Sequence, residues 1–171
     1  LARRGFAVVV VGGVEDKQYG DAIVQNVFGV NLAGQTSLAE TAAVLERAAL
    51  LISGDSGVLH IGVGLGLPTV SLFGSGITRK WGPQGDRHVV LNKAVHCSPC
   101  THFGYTKPCQ NGVLCLRALS PQEVLTAAFS LLKDSSLEKL QRGLFFEQLS
   151  RLGAMLTLRL CEVVELVPVV F

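Results

Sequence analysis

Three short apolar runs constrain this chain more than any other feature: residues 6–11, residues 50–52 and residues 69–73, each stopping at or just before a glycine turn. The first, residues 6–11, is continuous and β-branched and so buries both faces. That is the habit of parallel strands covered by helices, not of antiparallel strands with one wet side. Between the runs, apolar residues recur at helical spacing, first at Ala22, Ile23, Val27 and Phe28 and then at Ala43, Val44, Leu45 and Ala48. Residues 88–91 add one more strand. Strand, turn and helix in repetition give an α/β fold, a parallel sheet with flanking helices, whose ligand-facing turns gather at one edge.

The turn after the second run is the most informative. Leu50-Leu51-Ile52-Ser53 ends at Gly54, and Asp55-Ser56-Gly57 leads into a helix carrying His60. The first turn of that helix, holding Ser56 and Gly57, aims unpaired N–H groups and the positive end of the helix dipole away from the sheet, which favours a phosphate. Asp55 has two readings: an N-cap for this helix, or a carboxylate facing ligand hydroxyls. The spacing of Gly62, Gly64 and Gly66 does not match a dinucleotide fingerprint. These glycines read as close helix–sheet packing, with Gly66 as the helix stop before Pro68.

Two capping boxes mark further helix starts. In Ser37-Leu38-Ala39-Glu40 and Ser120-Pro121-Gln122-Glu123, the serine can accept from an orphan N–H while the glutamate reaches back. The second helix is expected to run to about Leu132, and helical spacing resumes from Leu137 through Leu152. Leu1 to Phe6 reads as the end of a helix stopped by Gly5, with no signal peptide. The apolar stretch 154–171 is broken by Arg159, Glu162 and Glu165, each costing about 2.5–3.5 kcal/mol at bilayer depth, so it reads as a packed or interfacial segment. A net charge of +2 with scattered Lys and Arg does not suggest nucleic acid.

Four of the five cysteines crowd into one loop: Cys97, Cys100, Cys109 and Cys115, with Pro99, Pro108 and Gly112 as turn residues and His96 and His102 nearby. Four thiolates at such spacings could close a tetrahedral zinc site. Reduced structural cysteines and a local disulfide are the other readings. The zinc reading supports a noncatalytic zinc-stabilised α/β interaction module as an alternative function. A redox-active Cys97/Cys100 pair has little support, because Pro99 lies in a turn-rich loop and not at a helix start.

Residues 31–40, then Ser53-Gly54-Asp55-Ser56-Gly57 with His60, then Leu72-Phe73-Gly74, Trp81-Gly82-Pro83 and Cys97-Ser98-Pro99-Cys100 occur in one order. Together they resemble the C-terminal half of glycosyltransferase family 9, the ADP-heptose:lipopolysaccharide heptosyltransferases, over about residues 1 to 133. The resemblance implies a two-domain glycosyltransferase B-type enzyme in which this half holds the nucleotide-sugar donor and the other half holds the acceptor and the general base. Residues 1–133 would then be a nucleotide-sugar-binding, Rossmann-like domain with a parallel sheet and flanking helices, including the cysteine loop 97–115, and residues 134–171 a C-terminal helical tail.

Carried over by position, the resemblance puts Asp55, Ser56, Gly57 and His60 against the donor's sugar and diphosphate and Thr36 beside the adenine or ribose. It implies heptose transfer to the lipopolysaccharide inner core with inversion and no required metal or other cofactor. It also implies a cytoplasmic protein with peripheral contact at the inner membrane. His60 would stabilise the leaving group; no catalytic base is expected in this chain, which alone should bind donor and transfer nothing. The sequence departs from the family at three places. Lys17 stands where an acidic ribose contact can occur, with Glu15 and Asp16 beside it. Gly-Ser-Gly-Ile follows Phe73 in place of Gly-Pro-Thr or Gly-Pro-Ser and an acidic residue, and glycines replace an alanine-rich helix.

Overall fold

The apolar runs become strands of one parallel sheet. A computed structural model describes residues 1–133 and 167–170. In chain order it contains β1 (Val8–Val10), α1 (Lys17–Val24), β2 (Gly29–Asn31), α2 (Leu38–Glu46), β3 (Ala48–Gly54), α3 (Gly57–Gly64), β4 (Thr69–Phe73), α4 (Thr78–Trp81) and β5 (His88–Asn92). The cysteine loop follows, with the two-residue strands β6 (Thr101–His102) and β7 (Tyr105–Thr106) and the short helix α5 (Leu114–Arg117). Then come α6 (Pro121–Lys133) and a last strand, β8 (Val167–Val170). The helical spacing expected over 137–152 and Cys161 lie outside the described residues.

The sheet order is β2-β1-β8-β3-β4-β5, and every pairing in it is parallel. Alternate residues of β3 feed two cores, as a strand covered on both faces requires. Leu51 packs with Val9, Leu45 of α2, Leu59 of α3 and Phe73 on one side. Leu50 and Ile52 pack with Val70 and with Ala127, Ala128, Leu131 and Leu132 of α6 on the other. The opening turn of 3-10 helix, Ala2–Arg4, stops at Gly5 in the left-handed conformation (φ 84°), and Arg4 lies over the Phe129 ring at 5.2 Å.

Both capping boxes form. Glu40 N donates to Ser37 Oγ at 3.3 Å, and the Glu40 carboxylate accepts from Ser37 N at 2.8 Å; Ser120 and Glu123 repeat the exchange. The glycines of α3 divide by role. A side chain at Gly62 would stand 2.5 Å from Leu51 Cδ2, so this glycine lets α3 lie close on β3, whereas nothing lies within 4 Å of one at Gly64. Gly66 takes φ +72° as the helix stop.

The position of β8 departs from the sequence reading, which puts residues 134–171 in a C-terminal helical tail. Residues 167–170 fill the gap between β1 and β3, pairing Val169 with Val9 and with Leu51. The register against β3 shifts between Ala48 and Leu51. Pro168 lies within this strand and has no N–H to offer either neighbour.

Candidate functional site

Because all six strands run parallel, the turns that follow β1, β2, β3, β4 and β5 share the carboxyl edge of the sheet. The turn after β3 is built around the start of α3. Ser56, with extended backbone (φ −146°, ψ 167°), is the N-cap, and its Oγ accepts from Leu59 N at 3.4 Å. The Ser53 hydroxyl, 3.1 Å away, holds that side chain. This corrects two sequence expectations by one residue: Ser56 lies before the helix, not in its first turn, and Asp55 is not the cap. With the cap supplied by serine, the Asp55 carboxylate is left to face outward.

Asp55 stands between two elements. Its Oδ1 lies 3.9 Å from His60 Nε2, with 28% of the Asp55 side chain and 44% of the His60 side chain exposed. Its other oxygen fills the space that a side chain at Gly76 would take. The Gly-Ser-Gly turn after β4 is therefore small for a local reason: it lets the carboxylate in. His60 meets Trp81 of α4 edge-to-face, ring centroids 5.9 Å apart and planes at 61°. Lys80 Nζ lies 4.8 Å over the same indole. Asp55 and His60 thus stand beside the start of α3, where the Gly57 and Val58 N–H groups have no acceptor within the helix, and Trp81 and Lys80 extend the group from His60. The helix end and Lys80 suit anionic oxygens, and Asp55 suits hydroxyl donors.

The turns after β1 and β2 form the neighbouring part of this edge. Gly34 N donates to Gly12 O at 2.9 Å, and Gly34 (φ +71°) presses on Val14. Thr36 is half-buried just before the α2 cap, and its hydroxyl is 2.9 Å from that of Thr41. Of the acidic residues after β1, Asp16 turns back to accept from Gly13 N at 2.9 Å. Glu15 occupies the space a side chain at Gly13 would need, and Lys17 opens α1.

Sequence reading missed two of the residues that set this edge. Asn31, nearly buried, donates to Lys17 O and Asp21 Oδ1 at 2.9 and 2.7 Å and accepts from Ala33 N at 3.0 Å, tying α1 to the turn after β2. Gly20 gives its amide room. Trp81 is the single tryptophan of the chain, a signal in itself, but its partner His60 is 21 positions away and no local pattern joins them.

The cysteine loop hangs from the turn after β4. Ser98 Oγ donates to Gly74 O at 2.6 Å, and the N–H groups of Cys100 and Thr101 both donate to Ser75 O at 3.0 Å. Leu116 and Cys115 pack on Gly74. The four cysteines of the loop are free thiols; Cys115 is buried, Cys109 is exposed, and Cys97 and Cys100 are half-buried. Among the described residues no three of His, Cys, Asp and Glu come together to hold a metal ion, so the zinc set Cys97, Cys100, Cys109 and Cys115 gains no support.

The profile of glycosyltransferase family 9 (heptosyltransferase) matches residues 1–110. The chain is similar to lipooligosaccharide heptosyltransferase 2 of Haemophilus influenzae, 29% identical over 97 residues that make up 53% of this chain and 28% of that one. It is also similar to lipopolysaccharide heptosyltransferase 1 of Pseudomonas aeruginosa, 26% identical over 144 residues, 77% of this chain and 41% of that one. It therefore spans well under half the length of these relatives. The solved glycosyl transferase family 9 protein of Veillonella parvula superposes with a TM-score of 0.64 at 27% identity, over 78% of this chain and 38% of that chain. The ADP-heptose lipopolysaccharide heptosyltransferase II of Escherichia coli shares the fold, with a TM-score of 0.62 at 24% identity, over 81% of this chain and 38% of that one. With the profile matched over 110 of 171 residues and the fold shared, the chain belongs to glycosyltransferase family 9.

Proposed function

We propose that the carboxyl edge around α3 binds a nucleotide-sugar donor, ADP-heptose, and that this chain is the donor-binding half of an enzyme that transfers heptose to the lipopolysaccharide inner core. The observation that carries this reading is the constellation at the start of α3. A serine-capped helix end with two open N–H groups is flanked by Asp55 and His60, with Trp81 against His60 and Lys80 over the indole. In this reading the diphosphate lies on the Gly57 and Val58 N–H groups, where the helix end favours an anion by about 0.3–1 kcal/mol at an exposed site. Asp55 accepts from sugar hydroxyls. Trp81 offers its indole to the same ligand, and Thr36 lies toward the adenine or ribose.

Breaking the bond between the anomeric carbon and the diphosphate oxygen leaves negative charge on the departing nucleoside diphosphate. The helix end, His60 and Lys80 stabilise that charge as it grows, and the site needs no metal to do so. The base that takes the acceptor's proton is not among the residues gathered here. The domain holding base and acceptor is assigned to a separate half, and this chain alone binds donor without transferring sugar. Residues 1–133 form the binding domain in this scheme, with residues 167–170 completing its sheet. The protein works at the cytoplasmic face of the inner membrane, in peripheral contact with it.

Calorimetric titration with ADP and ADP-sugars tests the assignment. Asp55→Ala removes hydrogen bonds to a charged group worth about 1.5–3 kcal/mol, so affinity for the sugar nucleotide should fall roughly 10- to 100-fold while ADP alone is affected less. His60→Ala should weaken both ligands several-fold. Wild-type affinity in both variants would remove the site from this edge.

A further inference from the structure

The cysteine loop carries a surface that the donor site does not use. Residues 87–122 contain no aspartate or glutamate, but they include Lys107 and Arg117. Both are exposed, and among the described residues neither lies within ion-pair distance of a carboxylate. Lys93, by contrast, is paired with Glu123. At the tip of the β6–β7 hairpin Phe103 takes φ 49° and projects wholly into solvent, with Tyr105 64% exposed beside it. Leu114 and Leu116 of α5 add exposed apolar surface, at 44% and 40%.

We propose that this excursion, residues 101–117, docks on a lipid bilayer bearing anionic headgroups. Phe103 and Tyr105 enter the headgroup region, and Lys107 and Arg117 lie on the anionic headgroups. Two exposed aromatic side chains on a narrow hairpin, followed by Lys107 in a segment free of acids, match the boundary of a bilayer, where aromatic rings concentrate and anionic lipids attract Lys and Arg. A protein partner would instead favour a broad apolar patch depleted of charge at its centre. The anchorage gives the surface an orientation. Both arms of the excursion are fixed to Gly74 and Ser75, in the same turn whose Gly76 abuts Asp55. Docking there turns the open edge of the sheet toward the lipid. The inference deepens the peripheral contact proposed above but rests on exposure and charge, not on the donor assignment.

Co-sedimentation of the full chain with vesicles of phosphatidylcholine, with and without phosphatidylglycerol, tests it. Binding should require phosphatidylglycerol, weaken as salt rises, and fall about fivefold in Lys107→Gln, the share of one cation near such a surface. Phe103→Ser should weaken binding at every salt concentration, with circular dichroism and an ADP titration run on the same samples to establish that the variant is folded. No binding to the mixed vesicles, equal binding to both vesicle types, or unchanged binding in both variants would overturn the proposal. So would self-association of the chain that Phe103→Ser abolishes, because the face would then belong to a second copy. ADP binding without vesicle binding refutes the docking surface and leaves the donor site standing; vesicle binding without ADP binding does the reverse.

Discussion

Alanine placed at each glycine of α3 should give opposite signs at positions only two apart. In an unconstrained helix interior, alanine for glycine stabilises by about 1 kcal/mol. At Gly62 the new methyl would stand 2.5 Å from Leu51 Cδ2, a fully buried side chain in the core shared by β3 and α3. Overpacking of that kind costs about 1–3 kcal/mol, so Gly62→Ala should lose about 1 kcal/mol net. At Gly64 nothing lies within 4 Å of the methyl. This is the last helical residue, so Gly64→Ala should gain about 0.5 kcal/mol, the low end of the propensity effect. Gly66→Ala forces a Cβ into the left-handed region and should lose about 1 kcal/mol. Urea unfolding followed by circular dichroism separates these outcomes. With a slope of about 2 kcal/mol per molar, the first two variants should unfold roughly 0.7 M apart on opposite sides of wild type. Gly62→Ala as stable as Gly64→Ala would mean that α3 does not rest on Leu51. The account of how the helix start is held over the sheet edge would then fail.

Three further outcomes follow from named contacts. Asn31→Ala leaves the buried Ala33 N without its acceptor and should cost about 1–3 kcal/mol in urea unfolding, the penalty for one buried group left unpaired. His88, 2.9 Å from Thr69 Oγ1, is held below its ordinary pKa of 6.5, first by burial and then by Arg87. Its contribution is therefore present above pH 6.5 and lost as pH falls through the lower folded value, and the urea midpoint should decline on acidification below 6.5 less steeply in His88→Asn. Glu123 is lowered from 4.5 to about 2, chiefly by the hydrogen bond from Lys93 and then by those from Ser120. The stability it provides should be intact above pH 4.5 and disappear as pH falls toward 2, with Glu123→Gln flattening the midpoint between those limits.

Local chemistry made most of the scaffold readable. Residues 69–73 announce β4 without any tertiary knowledge, because five small-polar, β-branched and apolar residues between Pro68 and Gly74 have few other uses. The serine–glutamate boxes are self-contained, since both partners lie within one turn of helix. At the site the limit was one residue. Asp55 and Ser56 are adjacent and both good N-caps, and only backbone geometry separates the residue that caps from the one released to face a ligand. Trp81 and Asn31 show no role in the sequence alone, because their partners lie on other elements. The strand at 167–170 was hidden twice: its pairing is wholly non-local, and Pro168 argues against a central strand.

That strand has a consequence for how the molecule is assembled in time. β1 pairs with β2, β3 with β4, and β4 with β5, through segments close in sequence, but the two groups are hydrogen-bonded into one sheet only through β8. During synthesis the seam between them stays open until every other described element has been made, with the edges of β1 and β3 free to pair elsewhere. The closing step joins residues about 120 to 160 positions apart, the kind of contact that slows folding most. In cells the nascent chain would therefore depend on whatever shields two bare strand edges until the last one arrives.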